Sequence, residues 1–477
     1  MSRWLGDKAT NTATSPFLFV PLSVLSPFLG GEKMETYVEK YMERTPGSAK
    51  LYARATQVMP GGVCHNPRYF APYPLYVKKT AGPKIWDVDG NEYVDLWMGH
   101  YSQILGYQPE PIFKVLREKI SEGTHWGIVN EYQVVFAEDV CRVLPSAEKL
   151  RFGVSGTEAT MYAVRLARAS TGRNVILKIR GGWHGSGTDL SLAVHAPMDV
   201  PESAGLPPTA AEYTRTIPFN DTEGTLNSIR RYSSDLAGVI VEAVGQYFIP
   251  PLAGYLEAVQ EETKKVGAVF ILDEVITGFR LSLRGAQGRF GLKPDLTTMG
   301  KVLGGGMHLG VVAGRREILD LASPTSGLPK GRGVLMGGGT FSCMLPSMIA
   351  GRTMLKYLEE HEKEIYPTLE EKGRKLRQGI ENAFSSRGIP VKCLGVGSLF
   401  TTCFPRSMDV PLRNIEEVET HSDTARRDRQ FRLSMLNRGV YTVYGGGAVS
   451  MSHTDKDIEH IIKAAEASAE EMAQQKT

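Results

Sequence analysis

The chain has 477 residues, 42% of them hydrophobic, and carries 55 Lys plus Arg against 52 Asp plus Glu, a formal charge of +3. That length exceeds one compact core of ordinary size and points to two or three lobes or one elaborated α/β domain. The balanced charge, with no long run of one sign, argues against a nucleic-acid arm or an acidic tail and towards small-molecule chemistry.

Residues 17–29, FLFVPLSVLSPFL, follow Arg3 and Lys8 and superficially resemble the core of a signal peptide. Pro16, Pro21 and Pro27 would break a membrane helix there, and the run is too short to span a bilayer. The expectation is an N-terminal extension over 1–33, packed on the surface or disordered, with Met34 a possible biological start. The five cysteines, Cys64, Cys141, Cys343, Cys393 and Cys403, are scattered and form no C-x-x-C pair. Neither a disulfide framework nor a metal site is expected, and the compartment expected is a reducing cytoplasm with no membrane association.

In KIWDVDGNEYVDLW, Asp89-Gly90 stands between two β-rich runs and predicts a hairpin turn. From Lys149 onward short apolar runs alternate with amphipathic ones: KLRFGVSG then EATMYAVRLARAS, NVILKIRGG, LAGVIVEAV then GYLEAVQEETKKVG, AVFILDEV and LGVVAGRR. Such alternation predicts βα units around a mostly parallel sheet, and unbroken runs such as AVFILD predict strands covered on both faces. This α/β region is expected to span 101–345. It is followed by the charged helical stretch MLKYLEEHEKEIYPTLEEKGRKLRQGIENAF, the short strands GSLFTTCF and GVYTVY, and a last helix at DIEHIIKAAEASAEEMAQ. Segments 34–100 and 346–477 are expected to meet as a smaller α+β domain.

Ligands of an open parallel sheet sit at the carboxyl ends of its strands, so the residues there are candidates. Ser155-Gly156-Thr157-Glu158 closes one strand and opens a helix. Free N–H groups beside small hydroxyls make an anion site, while plain N-capping explains the same residues. GGWHG sets Trp183 and His184 among glycines after NVILKIR. The Trp183 ring either covers a planar ligand or plugs the sheet edge. Asp273 after VFIL places a carboxylate at the sheet mouth, for function or for capping the next helix.

The stretch TTMGKVLGGGMHLG then presents Lys301 among glycines. A Walker loop fails here, because Asp295 stands at the first glycine position and Val302 at the hydroxyl position; the G-x-G-x-x-G spacing is absent too. A solvated surface lysine stays open, yet small and apolar neighbours would depress the amine's pKa and suit Schiff-base chemistry. Gly304 to Gly306 are expected to leave room for a cofactor and for backbone turns. An amine, a carboxylate, an aromatic cover and an anion cradle are together what pyridoxal 5'-phosphate requires.

At this point the chain, from about Thr45 to its end, resembles the class III, fold type I pyridoxal-phosphate aminotransferases, and among them the glutamate-1-semialdehyde 2,1-aminomutase branch. The resemblance rests on PGGV at Pro60, WDVDGNEYVD at Trp86, SGTEATMYAVRLAR at Ser155, GGWHG at Gly181, DEVITGFR at Asp273, KPDLTTMGKVLGGG at Lys293 and GGTFS at Gly338, in that order. It implies that Lys301 bonds to the cofactor and then shuttles a proton, that Asp273 pairs with the ring nitrogen, and that Val275 and Trp183 flank the ring with His184 beside them. It further implies that Ser155, Gly156 and Thr157 hold the phosphate, that Thr340 reaches the phosphate of a neighbouring subunit in a homodimer, and that Arg68 binds the substrate carboxylate. Three departures bear on the reaction. Trp183 replaces the family's usual tyrosine, Gly445 falls at or near an acidic position of the aminomutases, and Cys343 and Met344 replace Gly and Asn. The activity expected is aminotransfer from a donor to a keto acid or aldehyde. The aminomutase, a racemase or epimerase, and a binding-only descendant are the alternatives.

Overall fold

A computed structural model describes residues 32–474; the apolar run at 17–29 and most of the 1–33 extension lie outside the described residues. Three strands come first, β1 (Val77–Ala81), β2 (Lys84–Asp87) and β3 (Glu92–Asp95). Seven follow: β4 (Lys149–Gly153), β5 (Val175–Ile179), β6 (Thr214–Ile217), β7 (Leu236–Glu242), β8 (Val269–Glu274), β9 (Leu296–Gly300) and β10 (Gly310–Gly314). The last four are β11 (Lys392–Val396), β12 (Leu399–Cys403), β13 (Val440–Tyr441) and β14 (Gly446–Ala448).

The central seven form one sheet in the order β4-β10-β9-β8-β7-β5-β6. Five run parallel, and β10 runs antiparallel to both of its neighbours. Every residue of β8 and β9 is buried. The unbroken apolar run VFIL has no solvent face to signal because helices cover both sides of a sheet of this kind. Helix Gly156–Thr171 packs on β9 and β10 through a stripe that includes Ala159, Ala163, Val164 and Ala167, at the helical spacing read from the sequence. Ser155 caps this helix by accepting the Glu158 N–H, and Gly172, left-handed at φ +68°, ends it.

The hairpin at Asp89-Gly90 forms between β2 and β3, with Gly90 at φ +91°. β13 then pairs parallel to β3, Val440 beside Val94 and Tyr441 beside Asp95, so a strand late in the chain completes an early sheet. The charged helical stretch becomes two helices, Leu345–Glu360 and Glu362–Ser385, and the second packs against helix Asp455–Gln474.

Candidate active site

The parallel strands deliver their last residues to one place. β7 ends at Glu242, β8 carries Asp273 beside it, and β9 places Thr298 beside Asp273. Lys301 follows β9 directly, in a short turn entered at φ +44°. Lys301, Asp273, Glu242 and Trp183 all line a cavity of about 780 Å³, a size suited to a small organic ligand.

Asp273 is buried and accepts three hydrogen bonds. One carboxylate oxygen lies 2.7 Å from His184 Nδ1; the other accepts from the Val275 N–H at 3.0 Å and from Thr298 Oγ1 at 2.9 Å. Burial lowers the pKa of His184 against the pull of Asp273, so the ring is neutral and donates from Nδ1 to the carboxylate. Its buried Nε2 has no partner among the described residues. A buried lysine, Lys178, fixes the glycine-rich loop that carries Trp183 and His184: its Nζ donates to the carbonyls of Gly182, Leu190 and Leu192. The Trp183 N–H donates to Glu242 at 3.0 Å, and burial together with the charge of Asp273 raises the Glu242 pKa.

Lys301 sits above the Tyr101 ring, its Nζ 5.5 Å from the centroid. Burial lowers its pKa to about 8, because loss of hydration outweighs the attraction of Glu242 and Asp273. The triple glycine has a packing role. Gly305 and Gly306 take positive φ, and a Cβ at Gly305 would stand 2.5 Å from the Ala350 carbonyl. The expected backbone turns are present, and at Gly305 the lack of a side chain also admits helix Leu345–Glu360.

Gly156 and Thr157 occupy the first helical turn, where N–H groups precede the intrahelical ladder and favour an anion. The Ser155 side chain acts as the cap, so its hydroxyl already serves the helix. A Cβ on Gly156 would meet Val275 at 2.9 Å, which places this helix start directly beside Val275. Gly185, at φ +85°, packs so tightly that a Cβ would fall 2.2 Å from Thr157 Oγ1. Gly185→Ala is therefore expected to displace Thr157 and destabilise the fold by about 1–3 kcal/mol. Thermal unfolding and phosphate-dependent protection from unfolding would check it; a variant matching the parent in both would refute the cradle.

Of the residues singled out from sequence, Lys301, Asp273 and Trp183 line the cavity, whereas Ser155, Gly156, Thr157, His184, Val275, Arg68 and Thr340 do not. Arg68 ends a short turn, Asn66–Arg68, and is exposed; Pro67 and Tyr69 line the cavity, but Arg68 does not. Thr340 is exposed as well, on a loop tied back by the Gly338 N–H donating to Tyr162 Oη at 3.1 Å. Sequence reasoning passed over Glu242, Tyr101 and Arg432, all of which line the cavity. Glu242 was within reach, since it ends LAGVIVE as Asp273 ends VFILD. The other two carry no such signal. Among the described residues no group of His, Cys, Asp or Glu is arranged to hold a metal ion, and no helix is long and apolar enough to cross a membrane.

Comparison with known proteins adds four findings. A family model described as aminotransferase class-III matches residues 66–451. A glutamate-1-semialdehyde 2,1-aminomutase of Thermodesulfovibrio yellowstonii is 37% identical over 433 residues, covering 88% of this chain and 98% of that protein. Among solved structures, an omega-transaminase from Sphaerobacter thermophilus superposes with a TM-score of 0.82 at 30% identity, covering 91% of this chain and 99% of that one. A transaminase with PLP bound gives 0.81 at 30% identity, covering 90% and 99%.

Proposed function

Because the chain belongs to the class-III aminotransferases, fold type I enzymes that use pyridoxal 5'-phosphate, we propose that its cavity moves an amino group on glutamate-1-semialdehyde, between neighbouring carbons of one molecule. The observation that carries the amino-transfer chemistry is the meeting of Lys301 and Asp273 in one cavity. The choice of substrate is supported by the name of the relative from T. yellowstonii.

The residues fit the cofactor. A half-buried amine and a buried carboxylate share the cavity, and the helix start at Gly156 approaches Val275 so closely that no side chain could stand between them. Pyridoxal phosphate supplies an aldehyde that takes up amines and a ring that delocalises the electron pair left when a substrate Cα–H bond breaks. Lys301 Nζ is the group to hold that aldehyde, and it later carries the proton at the substrate carbon. Asp273, held by His184, Thr298 and the Val275 N–H, keeps a negative charge ready for a protonated ring nitrogen. Gly156 and Thr157 offer N–H groups to the phosphate. Trp183 and Val275 enclose the ring.

The lysine can act near neutrality because burial has shifted it. With a pKa of about 8, roughly a quarter of the amine is neutral at pH 7.5, against about 0.1% for an ordinary lysine. The rate at which apoprotein captures pyridoxal phosphate is thus expected to rise nearly tenfold per pH unit below about 8 and to level off above it. Stopped-flow visible absorbance would measure this; a profile still climbing at pH 9.5 would contradict it.

Intermolecular transfer is the second reading, and Gly445 favours it. At φ +71°, with a Cβ predicted to fall 2.5 Å from the Arg427 side chain, this position cannot carry an acidic group without moving its surroundings. Incubation with glutamate-1-semialdehyde alone separates the two. Formation of 5-aminolevulinate with no released keto acid supports the mutase, whereas product only when donor and acceptor are both supplied supports the transferase. Failure of both would end the assignment.

Exposed apolar residues support a homodimer in which Thr340 reaches the partner's phosphate. Ile128 and Val129 are 73% and 83% exposed, and the Phe341 ring lies tilted against His125 at 5.2 Å while leaving half its surface open. Sedimentation should give twice the chain mass, and Val129→Glu should shift it towards monomer.

A further inference from the structure

We propose that Glu242 is a further contact of the cofactor: its second carboxyl oxygen carries a proton and donates it as a hydrogen bond to the ring oxygen of pyridoxal phosphate. The seating of that ring, with its nitrogen at Asp273 and its aldehyde at Lys301, is taken from the proposed function.

Strand order decides which edge of the ring Glu242 meets. Pyridoxal phosphate carries its phosphate arm and its ring oxygen on the two carbons that flank the one bearing the aldehyde, so these groups leave the ring on opposite sides. β8, which supplies Asp273, lies between β9 and β7. Lys301 follows β9, and β4, whose end leads into the helix start at Gly156 and Thr157, lies on that same side of β8. A cofactor whose arm reaches the helix start therefore turns its ring oxygen to the β7 side. There the last residue of β7 is Glu242, directly beside Asp273 in the parallel register.

Glu242 can be reached from the cavity. The other residues of β7 are buried, whereas Glu242 keeps accessible surface and lines the cavity. Its Oε2 is taken by the Trp183 N–H at 3.0 Å, and its Oε1 has no hydrogen-bond partner among the described residues. Two carboxylates side by side at the end of a buried sheet repel each other, and one proton relieves them. Asp273, with three donors on it, keeps the charge; Glu242, with one, takes the proton. Burial and then the charge of Asp273 raise the Glu242 pKa against the pull of the Trp183 N–H, Lys301 and Lys178. Of the cavity residues that follow β7 and β8, Val244 and Ile276 have apolar side chains, Tyr247 Oη donates to Glu419, and Thr277 Oγ1 donates to Glu274. Gln246, in the short turn Gln246–Phe248, is the competing donor.

The visible absorbance of cofactor bound on Lys301 changes as the linking nitrogen loses a proton, and the midpoint of that change senses the charge on the ring oxygen. A hydrogen bond donated to that oxygen stabilises negative charge there and eases loss of the proton, whereas a nearby carboxylate holds the proton on. Glu242→Leu in cofactor-loaded protein is therefore expected to raise the midpoint by about one pH unit, the tenfold effect of one hydrogen bond to a charged group. Glu242→Gln should shift it by less than half as much, because the amide accepts from Trp183 and donates to the ring oxygen. Before cofactor is added, the infrared difference between the parent and Glu242→Gln at neutral pH should contain the carbonyl stretch of a protonated carboxyl.

A midpoint that falls in both variants means an ionised Glu242 and overturns the proposal, as does an unchanged midpoint in Glu242→Leu or a rise that follows Gln246→Leu instead. If Glu242→Leu fails to fold, the infrared difference on Glu242→Gln decides, and carboxylate bands in place of the protonated carboxyl overturn the proposal. A visible band that survives gel filtration of Lys301→Ala defeats the seating of the cofactor and the proposal with it. A band that needs Lys301 but ignores Glu242 defeats the proposal alone.

Discussion

Lys301→Ala is expected to reduce turnover at least about 10³-fold, within the range a positioned proton-transfer group contributes, while the fold survives. Among the described residues lining the cavity, Lys301 is the only lysine, and so the only amine able to form an imine with an aldehyde and then carry a proton at an adjacent carbon. Tyr101 lies under it and Asp273 and Glu242 are too deeply engaged to replace it. Alanine at this position loses a cation that burial has already made costly, so thermal stability should hold or rise slightly. Bound cofactor should be lost on gel filtration, because its covalent tether is gone and only the phosphate and ring contacts remain. Turnover within tenfold of the parent, or cofactor retained after borohydride treatment and denaturation, would remove Lys301 from the reaction.

Asp273→Ala should be nearly as severe for a different reason. It removes the acceptor of three donors at once: His184 Nδ1, Thr298 Oγ1 and the Val275 N–H. Each donor left unsatisfied in a buried site costs about 1–3 kcal/mol, so a fall in Tm of several degrees is expected even without cofactor. Activity should fall by about 10²–10³-fold, the usual cost of losing a preorganised electrostatic partner. Asp273→Asn separates the two effects. Its amide oxygen can still accept from Val275 and Thr298, so stability should largely return while activity does not. An Asn variant that regains full turnover would mean that the charge of Asp273 has no chemical part.

Much of this architecture was legible before any fold was in hand. The unbroken run VFIL announced a doubly covered strand, and the glycine-flanked hairpin at Asp89-Gly90 and the alanine stripe after Ser155 announced their own geometry. Local sterics and hydrophobic spacing act over a few residues, so a few residues display them. The same rule of strand ends brought out Asp273 and would have brought out Glu242.

Arg432 and Arg68 mark the limit. Arg68 sits in a motif whose resemblance to the aminomutases gave it the carboxylate, yet its side chain is exposed at the rim. Arg432 sits in a run, RRDRQFRLSM, where it looks like one of several solvated cations. Which of these side chains turns inward depends on the turn of the helix against Tyr441, on the following strand, and against Phe70, far away in the chain.

By itself, then, the sequence determined the strand and helix segments, the glycine turns, the family and the two residues, Lys301 and Asp273, on which its cofactor chemistry is proposed to depend. Tertiary structure alone decided that β13 returns to β3, that Tyr101 and Glu242 face Lys301, that Gly305 yields to a helix, and that Arg432 lies buried without an acid partner. The physical reason is range. Backbone sterics and periodicity are local, whereas desolvation and the pairing of donors depend on which distant segments close over a side chain.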